Sequence, residues 1–378
     1  MPTLEIIEDL SGLLEDRLSW DRLACGIPFR QTAWLEPWWN FLAKDCQATV
    51  LTARDEQGEL IGAFPLYRKP GTRTLCALGD GEACTDHVSI LARPEQSEEI
   101  ATAFGRHLAS NSSHSRHGWD LIDIDGVVEG DKAMAAFAKG LKESGSQLHA
   151  GSRMSTWFKP ADSDWQEHIK HHGKTQRRRM RRWSEKIDDD PDISRTIAVT
   201  ESEVKTLLNT IIDMHQKRWN AAGEPGSYSD PNFRDFMHET CRQFLLQGQL
   251  HLSGLSFQGQ IIAGDINFIG QNRVLYCYST GYDTNFSELE PGRLLCVDGL
   301  REMYRSSLTG VDFMRGDESY KARFTTESRK LYRVRAVAPT LLPRLRHAVW
   351  ATGFEVKQWM RRRTGRQEIL VNDPTEIG

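Results

Sequence analysis

Gly310-Val311-Asp312-Phe313-Met314-Arg315-Gly316-Asp317-Glu318-Ser319-Tyr320-Lys321 reads as a short buried strand that ends at a glycine and then presents Asp, Glu, Tyr and Lys. Apolar strands that end in a polar turn are where α/β proteins place their chemistry, because the sheet is rigid and the loop at its carboxyl edge is exposed. Upstream, Glu290-Pro291-Gly292-Arg293-Leu294-Leu295 has the form of a helix start. A proline in the first turn beside a small residue leaves backbone N–H groups free to hold a phosphate. Strand, helix start, strand and charged loop, in that order, predict an α/β group-transfer enzyme with a phosphate-bearing donor.

Working outward, two segments repeat one order of elements. In the first half, a strand over residues 48–53 turns at Asp55-Glu56-Gln57-Gly58 and returns over 60–66. In the second, a strand over 250–255 turns at Gln258-Gly259 and returns over 261–268. Each hairpin leads to further strand, then a helix, then an apolar strand ending in Asp and Gly, at residues 121–126 and 311–316. This predicts duplicated α/β domains, each a mixed central sheet flanked by helices. The expected division is a first domain over 1–160, a basic helical connector over 161–200, a donor-binding domain over 201–340 and a basic helical tail over 341–378.

The chain has 378 residues, 39% hydrophobic and 26% charged, as expected of a globular protein with sizeable cores, and its length favours two domains. A net charge of −4 argues against a protein that coats nucleic acid over its whole surface. Seven cysteines at 25, 46, 76, 84, 241, 277 and 296 show no C-x-x-C spacing and read as reduced thiols. The first residues lack an apolar stretch behind a basic start, and no apolar run is long enough to span a bilayer. A cytoplasmic protein is expected, with peripheral attachment at the inner face of the membrane as an option.

Further motifs carry a resemblance. They are Trp34…Trp38-Trp39, the hairpin end Gly62-Ala63-Phe64-Pro65-Leu66, His215…Arg218-Trp219…Gly223, Pro291-Gly292-Arg293-Leu294-Leu295 and Asp312-Phe313…Gly316…Tyr320-Lys321. In this order the chain resembles the bacterial GNAT-superfamily acyltransferases of the CelD-like and BioF2-like group, associated with cellulose and exopolysaccharide synthesis and related to the Fem-type peptidyltransferases. The resemblance implies two tandem GNAT-like domains and transfer of an acyl group to an amine or hydroxyl of an envelope- or polysaccharide-related acceptor. The donor it implies is acetyl-CoA or another acyl-CoA. Pro291-Gly292-Arg293, with one glycine, stands where the superfamily's donor loop carries several. Two alternatives therefore stay open: a Fem-type enzyme fed by aminoacyl-tRNA, and a scaffold that has lost donor binding and acts as an interaction subunit.

Acyl transfer from a thioester needs a held donor, a proton acceptor for the attacking group and a stabilised oxyanion. Pro291, Gly292, Arg293 and Leu294 are the expected donor-binding residues, the amides cradling phosphate and Arg293 adding charge. Asp317, Glu318 and Tyr320 are the candidates for proton transfer, with Lys321 for a phosphate or carboxylate; which carboxylate is the base stays open. His215 and Arg218 share a helix face, and histidine suits proton transfer near neutral pH. Asp86 and His87, after a glycine-rich turn, could line an acceptor cleft with Arg218 and Trp219. A solvated or packed role is the alternative for each. No nucleophile constellation and no G-x-S-x-G elbow is present, so direct attack is expected.

The run Lys174-Thr175-Gln176-Arg177-Arg178-Arg179-Met180-Arg181-Arg182 is the strongest charge anomaly. It points to a polyanion, such as tRNA, a phosphorylated carrier or an anionic membrane, unless Asp188, Asp189 and Asp190 neutralise it. Gly173-Lys174-Thr175 lacks the upstream glycine and strand of a P-loop. His168, His171 and His172 have no zinc-type partners, and no metal is expected. In the tail, Leu345, Val349, Val356 and Met360 form a helical stripe before Arg361-Arg362-Arg363. With Trp350, Phe354 and Trp359 it would lie on an anionic membrane or pack on the body.

Overall fold

The computed structural model describes residues 2–10, 16–325, 327–349 and 370–378. Two compact units emerge: one from Met1–Trp39, Ala43–Ser155 and Arg329–Gly378, the other from Asn40–Leu42 and Thr156–Ser328.

In chain order the first unit holds β1 (Thr3–Ile7), α1 (Arg17–Leu23), α2 (Thr32–Leu42, its last three residues assigned to the second unit), β2 (Gln47–Ala48), β3 (Val50–Arg54), β4 (Leu60–Phe64), β5 (Leu66–Arg68), β6 (Thr74–Ala77) and β7 (Leu91–Ala92). It continues with α3 (Ser97–Ser110), β8 (Leu121–Val128), α4 (Lys132–Glu143) and β9 (Gln147–Pro160), whose last residues, from Thr156, belong to the second unit. The second unit adds α5 (Trp165–Lys170), α6 (Lys174–Asp189), β10 (Ile193–Ile197), α7 (Glu201–Ala221), α8 (Pro231–Leu246), β11 (Leu250–Phe257), β12 (Gln260–Ile269), β13 (Val274–Tyr282), α9 (Pro291–Arg305), β14 (Gly310–Arg315) and α10 (Lys321–Phe324). β15 (Glu327–Val337) and β16 (Leu370–Asn372) return to the first unit.

The first unit carries a small sheet β1-β3-β4-β7 and a second one in which β9, β15, β8, β6, β5 and β2 follow one another. Its parallel step is β6 to β8, and β15 lies antiparallel on β8. The residues 60–66, read as one return strand, divide at Pro65: β4 pairs β3 in the small sheet, and β5 pairs β6 in the other. Proline has no N–H for a ladder, which makes it a natural crossing point between sheets. Phe64, Phe104, Trp119, Ile122, Phe137 and Tyr332 centre the core.

The second unit orders its strands β10-β11-β12-β13-β14 and then the end of β9. It repeats the first unit's plan, since β13 and β14 are parallel and joined through α9, and β9 closes on β14 antiparallel. The fold is thus tandem α/β, each unit a mixed sheet flanked by helices. α7 begins with a full capping box, the Thr200 hydroxyl on Glu203 N–H and the Glu203 carboxylate on Thr200 N–H. The basic connector expected over 161–200 holds two helices, α5 and α6, separated at residues 171–173. Leu275, Leu294, Leu295, Val311 and Phe324 centre the core under α9.

Residues 341–349 are helical, with Leu345 and Val349 exposed. The expected continuation of that stripe through Trp350, Phe354, Val356, Trp359, Met360 and Arg361–Arg363 lies outside the described residues. No helix among the described residues is long and apolar enough to cross a membrane.

Candidate active site in the second unit

β13 and β14 pair only from Val274–Tyr276 to Gly310–Asp312, although β13 runs on to Tyr282. The cause lies at the end of β14. Met314 takes a left-handed conformation (φ 57°), and its N–H donates to Asp312 Oδ1 at 2.7 Å. The same oxygen accepts the Thr156 hydroxyl at 3.0 Å, and the Trp157 indole donates to Gly316 O at 2.7 Å. A buried carboxylate thus stabilises a bend that a methionine otherwise resists. Beyond Tyr276 the two strands part, leaving a wedge.

The amino end of α9 faces this wedge. Glu290 adopts φ 57°, and its carbonyl accepts both Arg293 N–H (2.8 Å) and Leu294 N–H (3.1 Å). Pro291 has no N–H, so the first turn offers the Gly292 N–H, which has no partner among the described residues. A Cβ at Gly292 would meet the Tyr282 ring at 3.8 Å, which brings the helix start against the free end of β13. The Arg293 guanidinium stands 5.5 Å from the Tyr320 ring centre. Arg218 stacks on Tyr282 at 4.8 Å and on Trp219 at 5.7 Å, with no carboxylate partner among the described residues. One amide donor and two aromatic-backed guanidiniums around Tyr282 and Tyr320 suit a phosphate.

In the loop after β14, Asp317 and Glu318 are exposed and Tyr320 is half-buried. Lys321 is only 4% exposed: its ammonium donates to Met314 O (3.3 Å), Arg315 O (2.5 Å) and the Glu318 carboxylate (3.0 Å). It therefore closes the loop that carries Tyr320. Burial raises the Tyr320 phenol, which stays protonated.

His215 lies on the other side of the sheet. Gly281 packs against α7, where a Cβ would sit 2.3 Å from Ile211 O, while the adjacent Tyr282 meets α9. His215 Nε2 accepts the Trp219 indole N–H at 2.8 Å, and the ring meets Tyr228 edge-on at 4.9 Å. The lone pair that a base would offer is therefore engaged, and burial, with Arg218 nearby, pushes the imidazole down to about 4. In the first unit, Asp86 is fully buried and the His87 carbonyl accepts Arg30 Nε at 2.6 Å.

Sequence reasoning passed over Asp265, Cys277 and Cys296. Asp265 is 8% exposed on β12, and its Oδ1 accepts the Thr280 hydroxyl of β13 at 2.6 Å. Burial pushes its carboxyl up to about 6. Burial also raises Cys277 well above its ordinary range and Cys296 to about 12, both near Asp265. The available signal was a carboxylate inside the apolar run Ile261–Phe268, but only the cross-strand register shows which face it takes.

The basic run forms the first half of α6. Arg182 pairs with Glu290 at the start of α9, and Trp183 Nε1 donates to the same carboxylate at 2.9 Å. Farther along, Asp188 pairs with Arg301 of α9 at 2.7 Å, so the two helices run in the same direction. Arg177, Arg178, Arg179 and Arg181 have no ion-pair partner among the described residues, and Asp188 to Asp190 do not neutralise them. They lie on the part of α6 that precedes the α9 start. His168 and His171 gather on Asp162 at 3.4 and 3.2 Å beside the buried Lys159. Among the described residues no His, Cys, Asp and Glu group is placed to hold a metal.

Residues 174–322, which include the wedge, α9 and α6, match the family model of the acetyltransferase (GNAT) domain. FemX is similar in structure, with a TM-score of 0.61 at 11% identity over 87% of this chain and 96% of that one. A conserved protein of unknown function from Bacteroides thetaiotaomicron gives 0.54 at 13% over 89% and 100%. L-PGS from Bacillus licheniformis gives 0.53 at 13% over 88% and 92%. At these identities the likeness concerns the fold. No curated protein matches the chain.

Proposed function

With a GNAT acetyltransferase domain at residues 174–322 and a Fem-like fold as the premise, we propose that the protein transfers an acyl group from a CoA thioester to an amine, or a hydroxyl, by direct attack. The observation that carries this reading is the wedge between β13 and β14, with the Gly292 N–H, Arg293 and Arg218 at its mouth. The pantetheine arm of CoA would enter between the parted strands while the pyrophosphate of CoA meets the start of α9. Pro291 and Leu294 fix that turn, one without an N–H and the other bound to Glu290 O. Lys321 holds the loop that presents Tyr320, and Asp317 and Glu318 stand exposed beside it for the acceptor. Arg218 and the half-exposed Trp219, oriented by His215, form the neighbouring wall. Within the first unit, Asp86 and His87 are proposed as acceptor-binding residues of that unit's own loop.

Direct attack is favoured over an acyl-enzyme because the nearby thiols of Cys277 and Cys296 are held protonated by burial, and the thiolate is the nucleophile. The acceptor class we favour is envelope- or polysaccharide-linked, at the cytoplasmic face of the membrane.

A second reading, an aminoacyl-tRNA donor, is supported by the unneutralised arginines of α6 beside the α9 start. The deciding experiment is a thermal-shift series with acetyl-CoA, longer acyl-CoAs, free CoA and bulk aminoacyl-tRNA on wild type and Arg293→Ala. A ligand that binds only the native state raises its stability. A CoA shift that is lost in Arg293→Ala is the expected result. A salt-sensitive response to tRNA alone selects the second reading, and silence throughout leaves an interaction scaffold.

A further inference from the structure

We propose that Asp265 is the general base that takes the proton from the attacking amine. This rests on the acyl-CoA reading above and names the group that its chemistry requires.

The geometry begins with the pleat. Gly264 faces α7, where a Cβ would meet the Ile211 side chain at 2.6 Å, so the next residue points to the α9 side. There Asp265 stands opposite Thr280 in the β12–β13 ladder, one strand in from the wedge. Thr280 donates to Oδ1 at 2.6 Å and fixes the carboxylate plane, whereas Oδ2 has no hydrogen-bond partner among the described residues. A carboxylate more than nine-tenths buried, with one oxygen anchored and the other unused, has the form of a base awaiting a donor. The titratable groups around it are His251 of β11, Cys277 of β13, Cys296 and Asp298 of α9, and Tyr320 beyond β14. Tyr320 in turn lies under Arg293, which ties this carboxylate to the phosphate-ready end of α9. Among the described residues no arginine or lysine pairs with Asp265 to suppress its basicity. Its raised proton affinity, caused first by burial, makes it a stronger base than an ordinary carboxylate, yet it is ionised at neutral pH.

In the proposed step the neutral amine nitrogen attacks the thioester carbonyl carbon and a tetrahedral adduct forms. Asp265 Oδ2 takes the proton released from nitrogen. The C–S bond then breaks, the electron pair leaves on sulfur, and the thiolate receives one proton to become free CoA, which returns Asp265 to its charged form. Amine and acyl-CoA give amide and CoA with no other reactant.

The test uses the full chain as wild type, Asp265→Asn and Asp265→Glu, with acetyl-CoA as donor and glucosamine, lysine, spermine and water as acceptors. Thiol release is followed from pH 5 to 9 beside the acetyl-CoA thermal shift. With water as acceptor, which has no ammonium to titrate, the proposal expects a rate that rises with pH to a plateau above about 6 in wild type, and amine acceptors add a further rise as they lose their proton. In Asp265→Asn it expects a loss of about 100-fold or more, with that limb gone. The acetyl-CoA shift should persist in the variant, and Asp265→Glu should recover part of the rate. Asp265→Asn that binds acetyl-CoA and keeps the wild-type rate overturns the assignment while leaving the acyl-CoA reading intact. A wild type that neither shifts with acetyl-CoA nor releases thiol to any acceptor overturns both.

Discussion

At the scale of single residues, the site shows where the fold gives up stability. Asp265 is an acid whose affinity for its proton is higher in the folded state, about 6 against 3.8. Folding is therefore unpenalised below pH 4, loses stability as pH rises to about 6, and carries the full cost above that. A difference of that size corresponds to about 3 kcal/mol at most. Asp265→Asn keeps an oxygen for the Thr280 hydroxyl and removes the charge. It should be more stable than wild type by about 2–3 kcal/mol at pH 8 and indistinguishable at pH 3.5, measured by urea unfolding at both. Equal stability at pH 8 would mean that the carboxylate is not desolvated. Lys321 behaves in the opposite way. Lys321→Met leaves the carbonyls of Met314 and Arg315 without their donor, and should cost about 1.5–3 kcal/mol and weaken acetyl-CoA binding through the Tyr320 loop. Glu318→Ala removes only an exposed partner of the same ammonium and should stay within about 1 kcal/mol. A Lys321→Met protein as stable as Glu318→Ala would remove the loop-closing role.

At the scale of elements, α6 and α9 form a pair in which one helix supplies the open amide and the other the charge. Since Arg182 is spent on Glu290, the free charge is that of Arg177, Arg178, Arg179 and Arg181. Replacing these four, of which Arg177 is half-buried and the others exposed, with alanine should leave the thermal midpoint nearly unchanged, as surface positions usually do. If tRNA is the donor carrier, the same change should flatten the slope of log K against log salt by up to about 3.6, at about 0.7–0.9 per phosphate contact. Fluorescence anisotropy with labelled tRNA across a salt series measures this, and an unchanged slope would exclude the run as an RNA contact. The sequence makes such elements legible because their signals are local: arginine clustering, Pro291 before Gly292, the glycine turns of the hairpins. It does not reveal what depends on register. Asp265 and Thr280 are far apart in the chain and meet only because β12 and β13 pair as they do, with a bulge after Ile266. His215 shows the converse. Its spacing with Arg218 is helical, but the ring is engaged by Trp219 one turn on and lies edge-on to Tyr228, which only the folded chain brings against it.

At the scale of the whole molecule, the duplicated plan was visible in the repeated hairpin, helix and strand, but the way the chain closes its sheets was not, because no local pattern records it. Each unit needs an antiparallel strand beside its parallel pair. In the second unit the end of β9 lies on β14, and in the first unit β15, which follows the whole second unit in sequence, lies on β8. β15 buries Leu331, Tyr332, Val334 and Val337 in the first unit. Its Arg333 and Arg335 hold Asp123 of β8, with Arg333 Nε at 2.6 Å. Burial alone would raise the Asp123 carboxyl, but the two guanidiniums outweigh it and hold it below the usual range. A depressed carboxyl contributes stability above its unfolded value and loses it as pH falls through the folded one. Ending the chain at Ser328 should therefore do more than trim a terminus. Four large buried side chains, at about 1.5–3 kcal/mol each, approach the whole stability of an ordinary domain, about 5–15 kcal/mol, and Asp123 is left buried without its cations. The first unit of the shortened chain should lose its cooperative fold, and hydrogen exchange should find the amides of Leu121–Val128 unprotected. Protection of β8 equal to that in the full chain would show that the first unit closes without its returning strand.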